Sequence, residues 1–171
     1  MLEVTRTIDA TAEQVWAVLA DGWSYPSWVV GASRMRAVTE NWPAQGSQLH
    51  HSAGIWPLVT NDQTVSLESE PPLRLRLQAK GWPAGEATIE LRIERQGDRS
   101  VVTMIEDASA GPGALVPKQL RQAVIAPRNK ESLRRLAYIV EGRSHPQSNR
   151  RPAAGSPDSW QRSRVHRTGK R

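Results

Sequence analysis

His51 and Glu106 are the residues of this chain whose types best suit chemistry. An imidazole and a carboxylate brought together in apolar surroundings form a general acid–base pair, or orient a ligand hydroxyl. His51 stands in QLHHSAG. Over 47–53 it shares a strand face with Leu49, so it points inward if Leu49 does. Glu106 stands in VVTMIEDAS. Over 100–107, Val102, Met104 and Glu106 share one face, and Val101, Thr103 and Ile105 share the other. Both faces carry apolar residues, so alternation alone leaves the inward set open. The bland alternative for both residues is a hydrogen-bonded place at the sheet rim.

Other chemistries find little support. Adjacent His50 and His51 point to opposite faces of a strand and cannot easily chelate one ion. With no Cys in the chain and no third ligand at a suitable spacing, no metal site is expected. There is no G-x-S-x-G elbow, phosphate loop or dinucleotide fingerprint. The GPG at 111–113 is a loop before a helix, and Pro112 removes an N–H where a phosphate cradle needs donors. No cofactor is expected. Trp28, Trp56 and Trp82 fall in predicted loops or at strand ends, where they could line a pocket mouth, since ligand sites are mostly apolar. Equally, they could plug the sheet ends, and Tyr25 with Trp28 could form an edge contact of the first helices.

The elements that must position these residues are legible from pattern. Leu2, Val4 and Ile8 alternate with polar residues as in a half-buried strand, with Arg6 interrupting the apolar face. Thr11 and Gln14 form a capping box, after which Ala12, Val15, Trp16 and Leu19 mark one helical face. Strands are predicted over 34–40, 47–53 and 59–69. Leu73, Leu75, Leu77 and Ala79 then alternate with charged and polar neighbours, as do Ala87, Ile89, Leu91 and Ile93. Gln96-Gly97-Asp98 turns into strand 100–107. One long amphipathic helix is predicted over 115–142, with Pro127 kinking or splitting it, Asn129 capping its second half and Gly142 stopping it. The order is strand, helix, turn, six hairpin-linked strands, helix. A sheet wrapped around one long helix makes a cavity, and the cavity is the route to function.

Composition bounds the rest. The formal charge of +6 is misleading as a global figure: from residue 143 on there are eight Arg/Lys and one Asp, while residues 1–142 carry a net −1. A near-neutral domain has no electrostatic footprint for nucleic acid. The segment 143–171 is rich in Arg, Ser, Pro and Gly with almost no aliphatic residues, and is expected to be disordered. Its charges read as solubilising, with phosphate contact to nucleic acid or anionic lipid as the alternative. The absence of a secretory h-region and of any apolar run near the ~20 residues of a membrane helix points to a cytoplasmic protein.

Four stretches, IDATAEQVWAVLAD, SYPSW, GSQLHHSAGIWPLVTNDQT and RNKESLRRLAYIVEG, make residues 2–142 resemble the SRPBCC superfamily. The likeness is strongest to its polyketide cyclase/dehydrase-like branch. The resemblance implies an α+β helix-grip fold: a curved antiparallel sheet around a long C-terminal helix, with short helices after the first strand. It implies a domain over 1–142 and, on strand 100–107, the set Val102, Met104 and Glu106 facing the cavity. Its members bind or transform hydrophobic small molecules, and the resemblance carries over no catalytic residue. The expected function is binding of a hydrophobic or aromatic molecule, with Trp28, His51, Trp56, Trp82, Met104 and Glu106 as contacts. The alternatives are a cyclase, aromatase or dehydratase using His51 and Glu106, and an interaction protein with a filled cavity.

Overall fold

The alternating segments become strands of one antiparallel sheet, and the long amphipathic segment becomes the helix that lies against it. The computed structural model describes residues 1–55, 58–81, 85–111 and 117–144. In chain order the elements are β1 (Leu2–Ile8), α1 (Ala12–Leu19), a 3-10 turn (Gly22–Ser24) and α2 (Tyr25–Trp28). There follow β2 (Ala32–Val38), β3 (Gln48–Ile55), β4 (Leu58–Glu70), β5 (Arg74–Gly81), β6 (Gly85–Gln96), β7 (Arg99–Ala110) and α3 (Lys118–Ser144). The sheet order is β1-β7-β6-β5-β4-β3-β2. Each consecutive pair from β2 to β7 is a hairpin, and β1 closes onto β7. This is the helix-grip α+β fold.

The capping box forms as its residue types predict: Gln14 N donates to Thr11 Oγ1 and Thr11 N donates to Gln14 Oε1 at 2.8 Å. It starts α1 where Val15, Val18 and Leu19 turn into the core. Trp16 is half-buried against the same core. Gly22 lets the turn after α1 approach the sheet. A Cβ there would stand 2.7 Å from Leu49 Cδ2 and 2.8 Å from Val38 Cγ1. That close approach seats α2, and with it Tyr25 and Trp28, on the sheet's inner face.

Leu75 and Leu77 of β5, Leu91 and Ile93 of β6 and Val102 and Met104 of β7 fill the inner face; Leu133, Leu136, Ala137 and Val140 of α3 meet them. Along the β5–β6 pair the inner residues shrink. Leu75 is opposite Leu91, Leu77 opposite Ile89, Ala79 opposite Ala87 and Gly81 opposite Gly85. Ala79, Ala87 and Ile89 stay half-exposed, so the inner face is incompletely covered at that end. The outer face is polar, with Arg74, Arg76 and Arg92 paired to Glu68 and Glu90.

The helix departs from expectation at Asn129 and Gly142. It is not split at Pro127, which lies within it. The lost hydrogen bond is offset by the burial of the turns that follow, which a split would disturb. Asn129 is no cap: it lies inside the helix, fully buried. Gly142 does not end the helix, which continues to Ser144, whose Oγ donates to Val140 O at 2.8 Å. The predicted strand over 34–40 lies instead at 32–38, because Trp42 N donates to Thr39 O and turns the chain early. Trp56, Trp82 and the segment 145–171 lie outside the described residues.

Candidate functional site

Two polar clusters sit on the inner face of the sheet. The first joins β7 to α3. Glu106 shares the inner face of β7 with Val102 and Met104, and its side chain is only 4% exposed. Arg128 Nη2 lies 2.5 Å from both of its oxygens, and Asn129 Nδ2 donates to Oε2 at 2.8 Å. Arg128 Nε in turn points to Asn129 Oδ1 at 3.4 Å. Arg128 reaches in from the surface, with its side chain 41% exposed. Two consecutive helix residues therefore clamp one carboxylate, and both of its oxygens are engaged.

The second cluster joins α2, β3 and β4. Thr64 Oγ1 lies 3.0 Å from His51 Nε2 and 3.3 Å from Tyr25 Oη. The Tyr25 ring stands 5.2 Å from His51 and 5.4 Å, edge-on, from Trp28. Asp62 is the register partner of His51 across β3 and β4, and lies on the same face of β4 as Thr64. All of these residues are buried. His51 Nδ1 is fully enclosed with no hydrogen-bond partner.

Proton accounting assigns the tautomer. Thr64 has one hydroxyl proton and two lone pairs. If Tyr25 donates to Thr64 and Thr64 donates to His51 Nε2, every proton in the chain is placed except that on Nδ1. If Nε2 carries the ring proton, a hydroxyl proton is left over as well as the bare Nδ1. The first arrangement strands fewer groups and places the proton on Nδ1, where the neighbouring Ser52 backbone raises the ring's proton affinity without meeting it at hydrogen-bonding geometry.

Burial is the main influence on both titratable rings. It pushes the Tyr25 phenol upward; the Thr64 hydrogen bond and Arg128 oppose it, while Glu106 and Asp62 add to it. Tyr25 thus senses charges from both clusters. Burial pushes His51 downward; Asp62 and the Ser52 backbone oppose, and Arg36 and His50 reinforce. A lowered His51 is neutral at pH 7, competent to donate through one nitrogen and accept through the other.

Of the residues singled out from sequence, His51 and Glu106 lie on the inner face in different clusters. Met104 is packed in the core opposite Leu91 and Val4. Trp28 is buried edge-on to Tyr25. Tyr25 was legible only as an edge contact, and Asp62, Thr64, Arg128 and Asn129 were not singled out for chemistry. Asn129 carried a signal: it continues the stripe of Leu133, Leu136 and Val140 at helical spacing, and a polar residue on an apolar stripe calls for a partner. Asp62 and Thr64 carried none, because LVTNDQT has no apolar alternation to show its inner face. Among the described residues no three His, Asp or Glu side chains gather as a metal site would need. No helix there is long and apolar enough to cross a membrane.

The profile of the polyketide cyclase/dehydrase and lipid transport family matches residues 1–141. The chain belongs to that family. Its fold is that of many solved structures. One is a Rhodobacter sphaeroides protein from structural genomics, at 24% identity and TM-score 0.64, covering 82% of this chain and 91% of that one. Another is the Zhui aromatase/cyclase from Streptomyces sp. R1128, at 18% identity and TM-score 0.61, covering 84% and 94%. A third is StfQ, a di-domain aromatase/cyclase of the steffimycin biosynthetic pathway, at 12% identity and TM-score 0.66. The match covers 84% of this chain and 51% of StfQ, about half the length of that two-domain protein. No curated protein matches the chain.

Proposed function

We propose that this protein binds a hydrophobic, aromatic small molecule between the sheet and α3, and holds its polar group at the Tyr25–Thr64–His51 cluster. The observation that carries the reading is the buried His51 Nδ1 without a partner. Evolved interiors rarely strand a buried donor, because an unsatisfied one costs about 1–3 kcal/mol. A ligand that supplied the acceptor would remove that cost. The shrinking inner residues Ala79 and Ala87 support the location, since they leave the apolar wall incompletely covered beside the cluster. Aromatase/cyclase folds among the similar structures agree with an aromatic ligand.

The test is thermal. A panel of aromatic polyketides, flavonoids and fatty acids is added in excess, and the melting temperature is read. One class should raise stability by about 2–3 kcal/mol at a hundredfold excess over Kd. A panel in which no member moves the melting temperature, together with a crystal structure showing side chains filling the space between sheet and α3, ends the proposal.

A second reading, an enzyme of cyclase, aromatase or dehydratase type, draws on the neutral His51. With its proton on Nδ1, this imidazole can donate to a ligand oxygen, while Nε2 can take up a proton relayed through the Thr64 hydroxyl. In that reading Glu106, both of whose oxygens are engaged, holds α3 in place while His51 and Tyr25 handle protons. Turnover of a poly-β-ketone analogue lost in His51→Leu and kept in Glu106→Gln is its expected outcome. Retained turnover without His51 would remove it.

A further inference from the structure

We infer that Asp62, with His51 beside it, selects ligands that present a hydroxyl, which can donate to Asp62 while accepting from His51, and turns away carboxylates. The inference rests on the pocket reading above and says which molecules that pocket takes.

Asp62 is 7% exposed and faces inward, opposite His51 in the β3–β4 register. Among the described residues no donor is hydrogen-bonded to its carboxylate. Only its backbone carbonyl is used, by Arg36 Nη2 at 3.2 Å. The same Nη2 reaches the His51 carbonyl at 3.3 Å, so this guanidinium is turned to the backbone rather than to the carboxylate. Among the described residues the fully enclosed side-chain atoms without a partner are Arg6 Nε and His51 Nδ1, and the Asp62 oxygens are not among them.

A carboxylate held this far from water without a donor is unfavourable unless something completes its shell. The protein completes the shell of its other inner carboxylate, Glu106, with Arg128 and Asn129. It leaves Asp62 open. A ligand carboxylate entering here meets the Asp62 carboxylate, while of the nearby guanidiniums Arg128 is committed to Glu106 and Arg36 to two backbone carbonyls. A ligand O–H meets an acceptor in want of a donor. Charge-assisted bonds of this kind are about twice as strong as neutral ones, so the group on the ligand decides affinity more than its skeleton does.

Four naphthalenes of one shape test this by isothermal titration at neutral pH: 2-naphthol, 2-naphthylmethylamine, 2-methoxynaphthalene and 2-naphthoate. The alcohol should bind about tenfold or more tighter than the ether and the carboxylate. An amine that bound tighter than the alcohol would overturn the part given to His51, since an ammonium has no lone pair to accept from it. In Asp62→Asn the alcohol should lose about tenfold and 2-naphthoate should gain. Should that variant not fold, the ranking of the four ligands on the native protein is the test by itself. Equal binding of all four, or tightest binding of 2-naphthoate or the ether, overturns the role of Asp62 and leaves the pocket standing. No binding of any of the four overturns the pocket and this inference together.

Discussion

The Glu106–Arg128–Asn129 clamp and the Tyr25–Thr64–His51–Asp62 cluster share one inner sheet face, yet they are satisfied to very different degrees. In the clamp both carboxylate oxygens accept, and the donors come from two adjacent helix residues. In the other cluster His51 Nδ1 has no partner, and among the described residues no donor reaches the Asp62 carboxylate, Arg36 being turned to its backbone carbonyl. A closed polar network gives rigidity and a unique placement; an open one in a buried setting is a standing cost. The clamp therefore fastens α3 to β7, immediately after the hydrogen bond lost at Pro127. On the proposed reading, a ligand meets the capacity that the open cluster leaves unused. Solvation follows the same division along α3, where one face of the turns after Asn129 is buried while Val124, before Pro127, is 73% exposed.

The largest effect should come from breaking the closed cluster. Glu106→Ala should cost about 2–4 kcal/mol by denaturant unfolding. The figure lies toward the low end for a buried pair because half-exposed Arg128 can turn to water, leaving Asn129 as the stranded group. A cost under about 1 kcal/mol would place the clamp in the same class as the other cluster and dissolve the contrast. Next in size is Gly22→Ala, which pushes a methyl group to within 2.8 Å of Leu49 and Val38 and so displaces α2. Overpacking of this kind should cost about 1–3 kcal/mol and weaken ligand binding as well, because Tyr25 rides on α2. Full affinity in that variant would show that Tyr25 is not needed where it stands.

The open cluster should respond the other way round. His51→Leu should change stability by less than about 1 kcal/mol, since it removes a stranded donor along with one hydrogen bond, while abolishing ligand binding. A large destabilisation with intact binding would invert the assignment of the two clusters. A smaller, pH-dependent effect sharpens the point. His51 is held below the usual histidine value of 6.5, so the unfolded chain binds the proton more readily than the folded one. The stability due to neutral His51 is complete above 6.5 and is lost as pH falls through the folded value. Melting temperature against pH should fall on the acid side in the native protein and fall less in His51→Leu. Parallel curves would mean that other groups carry the acid sensitivity. The smallest effect is expected from ending the chain after Ser144. The folded unit proposed for residues 1–142 should then unfold within about 0.5 kcal/mol of the full chain. Loss of cooperative unfolding would show that residues beyond Ser144 belong to the core.

Much of this architecture was legible without coordinates. The period-two runs at Leu73–Ala79 and Ala87–Ile93, the Thr11–Gln14 capping box and the long apolar stripe of α3 are local patterns, and each appears where its spacing puts it. The shared face of Leu49 and His51 is local in the same sense, because strand alternation needs no distant partner. The inward face of β7 needed the family resemblance to choose between two apolar sets. Gly142 misled because local propensity was overridden: the helix is held by what it buries, and a flexible glycine is a smaller term than a core.

By itself the sequence determined which segments are strands and helices, the near-neutral domain with its basic extension, and the inward side of most strands. Tertiary structure alone decided what each inward polar group meets. Glu106 finds Arg128 22 residues away, and Tyr25 finds Thr64 39 residues away, through the curvature of the sheet and the register of β3 with β4. Backbone periodicity is set by sterics within a few residues, so it can be read along the chain. Whether a buried donor or acceptor is satisfied depends on distant atoms arriving within about 3 Å, and only the packed fold brings them there or leaves them wanting.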